Sequence, residues 1–229
     1  MRVLRGRAAT ISADRERTRT MLDRTGETDS PAVRVWTPHR QVAFGRREAA
    51  EAGYDRAVAA AHERGFDSVE RSVGGRAVAY TGSTVAFAHA VPVADPRVGL
   101  DDRYDAAVAR LRRALTSLGV DAAPGEPPDA FCPGSHSLQC RGKVVGIAQR
   151  VRTDVALVAG CVVVADRATF ADVIDAVYGA LGQSFDPESV GSVAAAGGPS
   201  DPDPVIDAVE RELVGDEPTT VRRIENGET

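Results

Sequence analysis

The sequence predicts an α/β domain of the α+β type, a mixed, largely antiparallel sheet covered by helices. Three observations lead there. Short stretches of alternating apolar residues come in pairs around brief polar corners, as in Val33, Val35 and then Val42, Phe44 about Pro38-His39-Arg40. Two stretches, 101–118 and 170–181, repeat apolar residues at helical spacing and stop at Gly119 and Gly182. Strand pairs and helices follow one another without a regular βαβ alternation.

Residues 12–24 are charged and helix-compatible, anchored by Ile11, Met21 and Leu22, and 26–30 reads as a turn-rich break. After the first strand pair, a helix over 48–64 uses Tyr54, Val58 and Ala61 and stops at Gly65. Val69 and Arg71 lead to Gly74-Gly75, a break before a second strand pair. In its second strand Val85, Phe87, His89 and Val91 share one face, and Ala86, Ala88 and Ala90 share the other, so both faces are expected to be covered. The helix over 101–118 carries Tyr104, Val108, Leu111, Leu115 and Leu118. A loop rich in Pro, Gly and Asp follows over 122–129, then strands near 137–140, 144–149 and 155–164. The helix over 170–181 closes a single expected catalytic domain, 1–182. Beyond it, 183–229 reads as a flexible Gly/Ala/Pro linker at 192–203, a short helix opened by Asp203-Pro204, and a frayed tail.

Length and composition fit a soluble globular chain: 229 residues, 43% hydrophobic and 27% charged. The longest apolar stretch, 155–165, is too short to cross a bilayer and rich in Val, so no membrane association is expected. The first residues lack an apolar core of the secretory kind, which points to the cytoplasm. A net charge of −5 and the absence of a basic cluster interleaved with aromatics argue against nucleic-acid binding. Three cysteines, Cys132, Cys140 and Cys161, cannot all pair, so no disulfide framework is expected. Of the 28 basic residues only Lys143 is a lysine. Under such an arginine bias a lysine persists where a compact point charge on a flexible stem is needed.

Three stretches carry chemistry. In Arg71-Ser-Val-Gly-Gly-Arg-Ala77, the pair Gly74-Gly75 lets backbone approach a ligand, and Arg71 and Arg76 can hold an anionic group. In Phe131-Cys132-Pro-Gly-Ser-His136 the thiol sits in a loop where it is accessible, whereas Cys161, on an apolar strand, reads as packing. In Arg141-Gly-Lys143-Val-Val-Gly146-Ile-Ala-Gln149-Arg150, a strand entered through a glycine aims Lys143 at a carbonyl or oxyanion, and Gly146 leaves room for a ligand. Cys132, His136 and Cys140 are spaced to share one face of a helix, but Pro133 and Gly134 oppose a helix and only three ligands are present, so no metal site is expected.

Together these stretches resemble the biotin/lipoate protein ligase and octanoyltransferase superfamily. Arg34-Val-Trp36 and Gln41-Val-Ala-Phe-Gly-Arg46 resemble its opening strands; Glu70-Arg-Ser-Val-Gly-Gly-Arg-Ala-Val78 resembles its R-R-x-x-G-G-x-A-V loop; Gly142-Lys-Val-Val-Gly-Ile-Ala-Gln-Arg150 resembles its G-K-K-x-x-G-x-x-Q-R strand. The likeness spans about residues 33–165 in the family's order. The Cys-Pro-Gly setting is most similar to the branch that moves octanoyl from the glycine-cleavage H protein to lipoyl domains of 2-oxoacid dehydrogenases. The resemblance implies a biotin/lipoate ligase-like fold, Cys132 as nucleophile and Lys143 as the acyl-site lysine. It also implies an acyl or carrier site at Arg71, Gly74, Gly75, Arg76, Ala77, Gly146 and Gln149, with no required cofactor. A lipoate–protein ligase using ATP and Mg is the nearest alternative, although Arg76 stands where such ligases usually have a third glycine. A non-catalytic carrier-binding subunit is the alternative from another class.

Overall fold

The structure, a computed structural model, is described for residues 1–71 and 75–224. An eight-stranded mixed sheet forms its centre. Strand β1 (Arg2–Arg5) leads into helix α1 (Ile11–Thr28), then β2 (Ala32–Trp36), β3 (Gln41–Phe44), a 3-10 turn at Glu48–Ala50 and α2 (Tyr54–Glu63). Next come β4 (Asp67–Glu70), β5 (Val78–Tyr80), β6 (Val85–Pro92), α3 (Leu100–Ser117), β7 (Ala123–Pro124), β8 (Ser137–Gln139), β9 (Lys143–Val151) and β10 (Val155–Val162). Helix α4 (Arg167–Leu181), α5 (Pro202–Val214) and β11 (Thr220–Arg223) complete the described chain.

The large sheet has the order β11-β1-β2-β6-β10-β9-β8-β7, and a three-stranded sheet has the order β4-β3-β5. β1 is parallel to β2 and β11, while β2, β6, β10, β9, β8 and β7 pair antiparallel. The expected mixed, largely antiparallel sheet covered by helices is therefore present.

The alternation predicted for β6 has its physical counterpart in two covered faces. Val33, Val35, Val85 and Phe87 meet Leu111 and Leu115 of α3 and Val205 and Val209 of α5. On the opposite face Ala32, Ala88 and Ala90 meet Met21 and Leu22 of α1. The small sheet, α2 and α4 form another cluster, which reaches Phe131 and Cys161. Burial of this order supplies the main stabilisation, at roughly 25 cal/mol per Å² of apolar surface.

Three sequence expectations are corrected. The helix α1 does not break at 26–30 but runs to Thr28, and Gly26 within it lets Asp154 pack close, since a side chain there would run into its carboxylate. The segment expected as a linker is packed: Val193 is fully buried, and its amide donates to the Val163 carbonyl. The expected frayed tail includes β11, paired with β1, and α5 buries Val205, Ala208, Val209 and Leu213. Composition misled here because small residues lower helix and strand signals without preventing close packing. No helix among the described residues is long and apolar enough to cross a membrane.

Candidate active site

Phe131 anchors the loop that carries Cys132. Its ring is fully buried and meets Phe170 of α4 edge-on, with centroids 4.7 Å apart. Cys132 then turns outward with φ +41, a left-handed conformation that costs a non-glycine residue roughly 1–2 kcal/mol. Side chains from two distant elements hold it there. The Cys132 amide donates to the Tyr178 hydroxyl at 2.7 Å, and its carbonyl accepts from Lys143 Nζ at 2.8 Å. Tyr178 in turn donates to the Ala77 carbonyl at 3.1 Å, so one phenol ties the cysteine loop to the glycine loop. Burial and the nearby Cys132 raise the Tyr178 pKa above that of an ordinary phenol, so the hydroxyl stays protonated as this bridge requires.

The sulfur lies against Arg71. Nη2 of Arg71 donates to Cys132 Sγ at 3.0 Å and also to the Arg76 carbonyl, while its buried Nε finds no acceptor among the described residues. Burial, the largest single influence, lowers the Arg71 pKa, but Cys132, through charge and hydrogen bond, together with Tyr80 and Cys161 raises it overall. Gly75 makes this approach possible: its φ is +96, and a Cβ there would stand 2.6 Å from both Arg71 Nη2 and Cys132 Sγ.

A cavity of about 450 Å³ opens from this point, within the range of small-ligand sites at roughly 300–1,000 Å³. Its floor is one face of the large sheet, where Ala86, Cys161 and Gly146 form one cross-strand row and Ala88, Ala159 and Ala148 the next. Leu22 and Trp36 add apolar wall, and Arg71, Tyr80 and Cys132 also line the cavity. Burial pushes the Cys161 thiol up to about 11. Cys161 is therefore a protonated wall residue, whereas Cys132 has a cation at its sulfur.

Lys143 is 0% exposed, and its ammonium makes three hydrogen bonds: to Glu126 Oε1 at 2.8 Å, to the Phe131 carbonyl at 2.9 Å and to the Cys132 carbonyl at 2.8 Å. An ammonium has three donors. All are spent on the loop, so Lys143 holds the cysteine's backbone instead of aiming a free N–H into the cavity. Its charge also lies 4.8 Å from the centroid of the Phe131 ring.

The family model of the lipoyl protein ligase A/B catalytic domain matches residues 15–214. The chain belongs to this family. Among curated relatives it is similar to an octanoyl-[GcvH]:protein N-octanoyltransferase of Exiguobacterium sibiricum, 32% identical over 132 residues, covering 57% of this chain and 48% of the relative. A protein of the same name from Geobacillus kaustophilus is 30% identical over 134 residues, covering 58% and 47%. The chain thus spans about half the length of the curated relatives it matches. In fold it is similar to a lipoate-protein ligase A bound with ATP, with TM-score 0.76 at 18% identity over 98% of this chain and 88% of that one. A putative lipoate protein ligase from T. acidophilum with bound lipoic acid gives 0.69 at 19% identity, covering 97% and 88%.

Within this lipoyl protein ligase A/B domain most of the site residues expected from sequence converge. Cys132, Lys143, Arg71, Gly75, Arg76 and Ala77 surround one loop junction, and Gly146 floors the cavity. Arg76 also reaches the Tyr178 ring, 5.9 Å from its centroid. Gly74 lies outside the described residues. Gln149 is not in the cavity: its amide binds Arg103 Nε at 2.5 Å and the Leu100 carbonyl at 3.1 Å on α3. The pleat of β9 explains the difference, since Gly146, Ala148 and Arg150 line the cavity and Gln149 has the opposite parity. His136 stacks on Tyr104, centroids 3.9 Å apart, and no cluster of metal-ligating side chains occurs among the described residues.

Sequence reasoning missed three residues. Tyr178 read only as part of a helix, and Glu126 only as loop. Glu48 is buried, and its carboxylate accepts from the amides of Gly45 at 2.8 Å and Ala77 at 3.0 Å, pinning the glycine loop's exit. The one available signal was chemical: a lysine on a buried strand calls for a carboxylate, and the loop preceding Cys132 offers two acids, Glu126 and Asp129.

Proposed function

We propose that this chain transfers a medium-chain acyl group, octanoyl or lipoyl, to a lysine of a lipoyl carrier domain through a thioester on Cys132. The observation that carries this reading is the Cys132–Arg71 pair in the lining of an apolar-floored cavity. It supplies a nucleophile, a cation and room for a chain in one place.

The steps balance simply. The Cys132 thiolate attacks the acyl amide of the donor lysine, the C–N bond breaks, and the departing amine carries away the proton the thiol released. The acceptor's neutral amine then attacks the thioester; the C–S bond breaks, the thiolate returns, and the new amide loses its extra proton to water. Two easier displacements replace one attack of an amine on an amide. Arg71 accompanies the sulfur through both steps and retains a buried Nε–H without an acceptor, a donor for the oxyanion. Lys143 and Tyr178 keep the cysteine backbone in place, so little reorganisation is needed at the moment of reaction. The names of the curated relatives support octanoyl-[GcvH] as donor and a protein as acceptor, and the family resemblance implies lipoyl domains of 2-oxoacid dehydrogenases as those acceptors. No ATP enters this chemistry, because one lysine amide is exchanged for another and the overall reaction needs no net activation.

The test is a transfer assay from octanoylated H protein to an unmodified lipoyl domain, with and without ATP and Mg. Transfer without ATP, abolished in Cys132→Ala, is expected. Transfer that needs ATP and releases pyrophosphate, or that persists at the wild-type rate in Cys132→Ala, overturns the proposal.

A further inference from the structure

The floor of the cavity changes character at its third cross-strand row. The first row, Gly146, Cys161 and Ala86, and the second, Ala148, Ala159 and Ala88, hold nothing larger than a cysteine. The third places Leu157 between Arg150 and Ala90, and both Leu157 and Arg150 line the cavity. Leu157 is buried and packs with Leu22 of α1, itself a lining residue. One residue beyond Leu22, Asp23 takes an ion pair from Arg152, just past the end of β9, so helix and sheet are joined at this same end.

Cys132 belongs to the other end of the ladder. The Phe131 ring stands 3.9 Å from where a Cβ on Gly146 would lie, and it shares an apolar cluster with Cys161, against which Cys132 packs. A strand rises about 3.3 Å per residue, so roughly 13 Å of floor separates Cys161 from Leu157. An extended medium-chain acyl group spans that length, and a long-chain one exceeds it. Past the second row a longer chain would press on two packed leucine side chains. It would also strip water from the guanidinium groups of Arg150 and Arg152, to which an alkyl chain offers no acceptor. We infer that Leu157, backed by Leu22, is the residue that sets the length of acyl chain this cavity takes. The inference deepens the acyl-transfer reading and rests on it, but its first test needs no transfer.

Calorimetric titration of the full chain with hexanoate, octanoate, decanoate and dodecanoate reads the limit. In the wild type, affinity is expected to rise about fourfold per methylene up to octanoate and to level off beyond it. Leu157→Ala opens the third row, so the decanoate-to-octanoate affinity ratio rises at least about fivefold. Ala159→Leu moves the wall one row toward Cys132, and hexanoate then binds at least as tightly as octanoate. Circular dichroism confirms the fold of each variant; if Leu157→Ala does not fold, Ala159→Leu decides. A wild-type ratio in folded Leu157→Ala overturns the inference, as does a wild-type preference in folded Ala159→Leu. So does wild-type affinity that keeps climbing to dodecanoate, or no saturable binding of any of the four acids. From acylated H protein, Leu157→Ala is expected to raise decanoyl over octanoyl transfer by about the same factor. An unchanged transfer ratio beside a shifted binding ratio also overturns it. If the wild-type chain transfers nothing, the functional reading fails, yet the binding series still decides whether Leu157 limits the chain.

Discussion

Arg71 places a guanidinium nitrogen 3.0 Å from the sulfur of Cys132, across 61 residues of sequence, and the backbone of Gly75 passes close beside both. That contact distinguishes Cys132 from the other two thiols. Hydrogen bonds to charged groups contribute roughly 1.5–3 kcal/mol, and this one stabilises charge on the sulfur as it reacts. Arg71→Met is therefore expected to slow alkylation of Cys132 by iodoacetamide at neutral pH at least about tenfold. Peptide mass spectrometry locates the label, and circular dichroism confirms the fold. An unchanged rate would mean that the guanidinium does not activate the sulfur.

Tyr178 spans two loops through one hydroxyl, accepting from Cys132 and donating to Ala77. Tyr178→Phe leaves a buried amide and a buried carbonyl without that partner, at a cost of roughly 1–3 kcal/mol in urea unfolding. Transfer should fall more steeply than stability, because the left-handed Cys132 loses one of its two restraints. Stability and transfer both at wild-type values would show that the bridge is dispensable.

Two neighbouring glycines are expected to respond in opposite ways. A Cβ at Gly160 would strike the Gly146 carbonyl and stand 2.6 Å from Phe87 Cζ, so Gly160→Ala overpacks the sheet and costs roughly 1–3 kcal/mol. A Cβ at Gly146 meets Lys143 Cε at 3.5 Å and Cys161 Sγ at 3.9 Å, which is ordinary contact. Gly146→Ala should therefore fold with a near-normal melting temperature and raise the KM for the acyl donor by narrowing the cavity. Equal melting temperatures for the two variants would contradict this packing.

His89 is half-buried on β6 with a buried Nε2 that has no partner among the described residues, and desolvation, aided by Arg110, lowers its pKa to about 4. The unfolded chain binds a proton at His89 from about pH 6.5 downward, and the folded chain does so only near the lower value. Stability is thus unaffected above about pH 6.5 and is lost as the pH falls toward 4, by up to about 3 kcal/mol. Denaturation series across that range should show the slope in the wild type and lose most of it in His89→Leu. A slope of equal size in the variant would assign it to other groups.

The parts of the site legible in the sequence are those whose chemistry is local. Cys132 was marked by Pro133-Gly134, Lys143 by its isolation in an arginine-rich chain, and Gly75 by the strand break it makes. Partners fixed by tertiary packing were not legible: Tyr178 reaches Cys132 across 46 residues, and Glu48 reaches Ala77 across 29. Lys143 stands out in the sequence, but its contacts do not, since nothing local shows that two carbonyls and a carboxylate use all its donors. Gln149 shows a different failure. Motif likeness placed it at the site, although it stands three residues from Gly146 and the alternation of β9 turns it toward α3. Residues 192–203 misled through composition, because small residues can pack tightly without any apolar periodicity.

The central claim is that the acyl group resides on the sulfur of Cys132 between donor and acceptor. Intact-protein mass spectrometry after incubation with octanoylated H protein alone, without acceptor or ATP, tests it most directly. The account predicts one added octanoyl group, mapped to the peptide carrying Cys132, released by neutral hydroxylamine and absent from Cys132→Ala. Transfer to an added lipoyl domain with no adduct at any time, or an adduct on Lys143 instead, would contradict it.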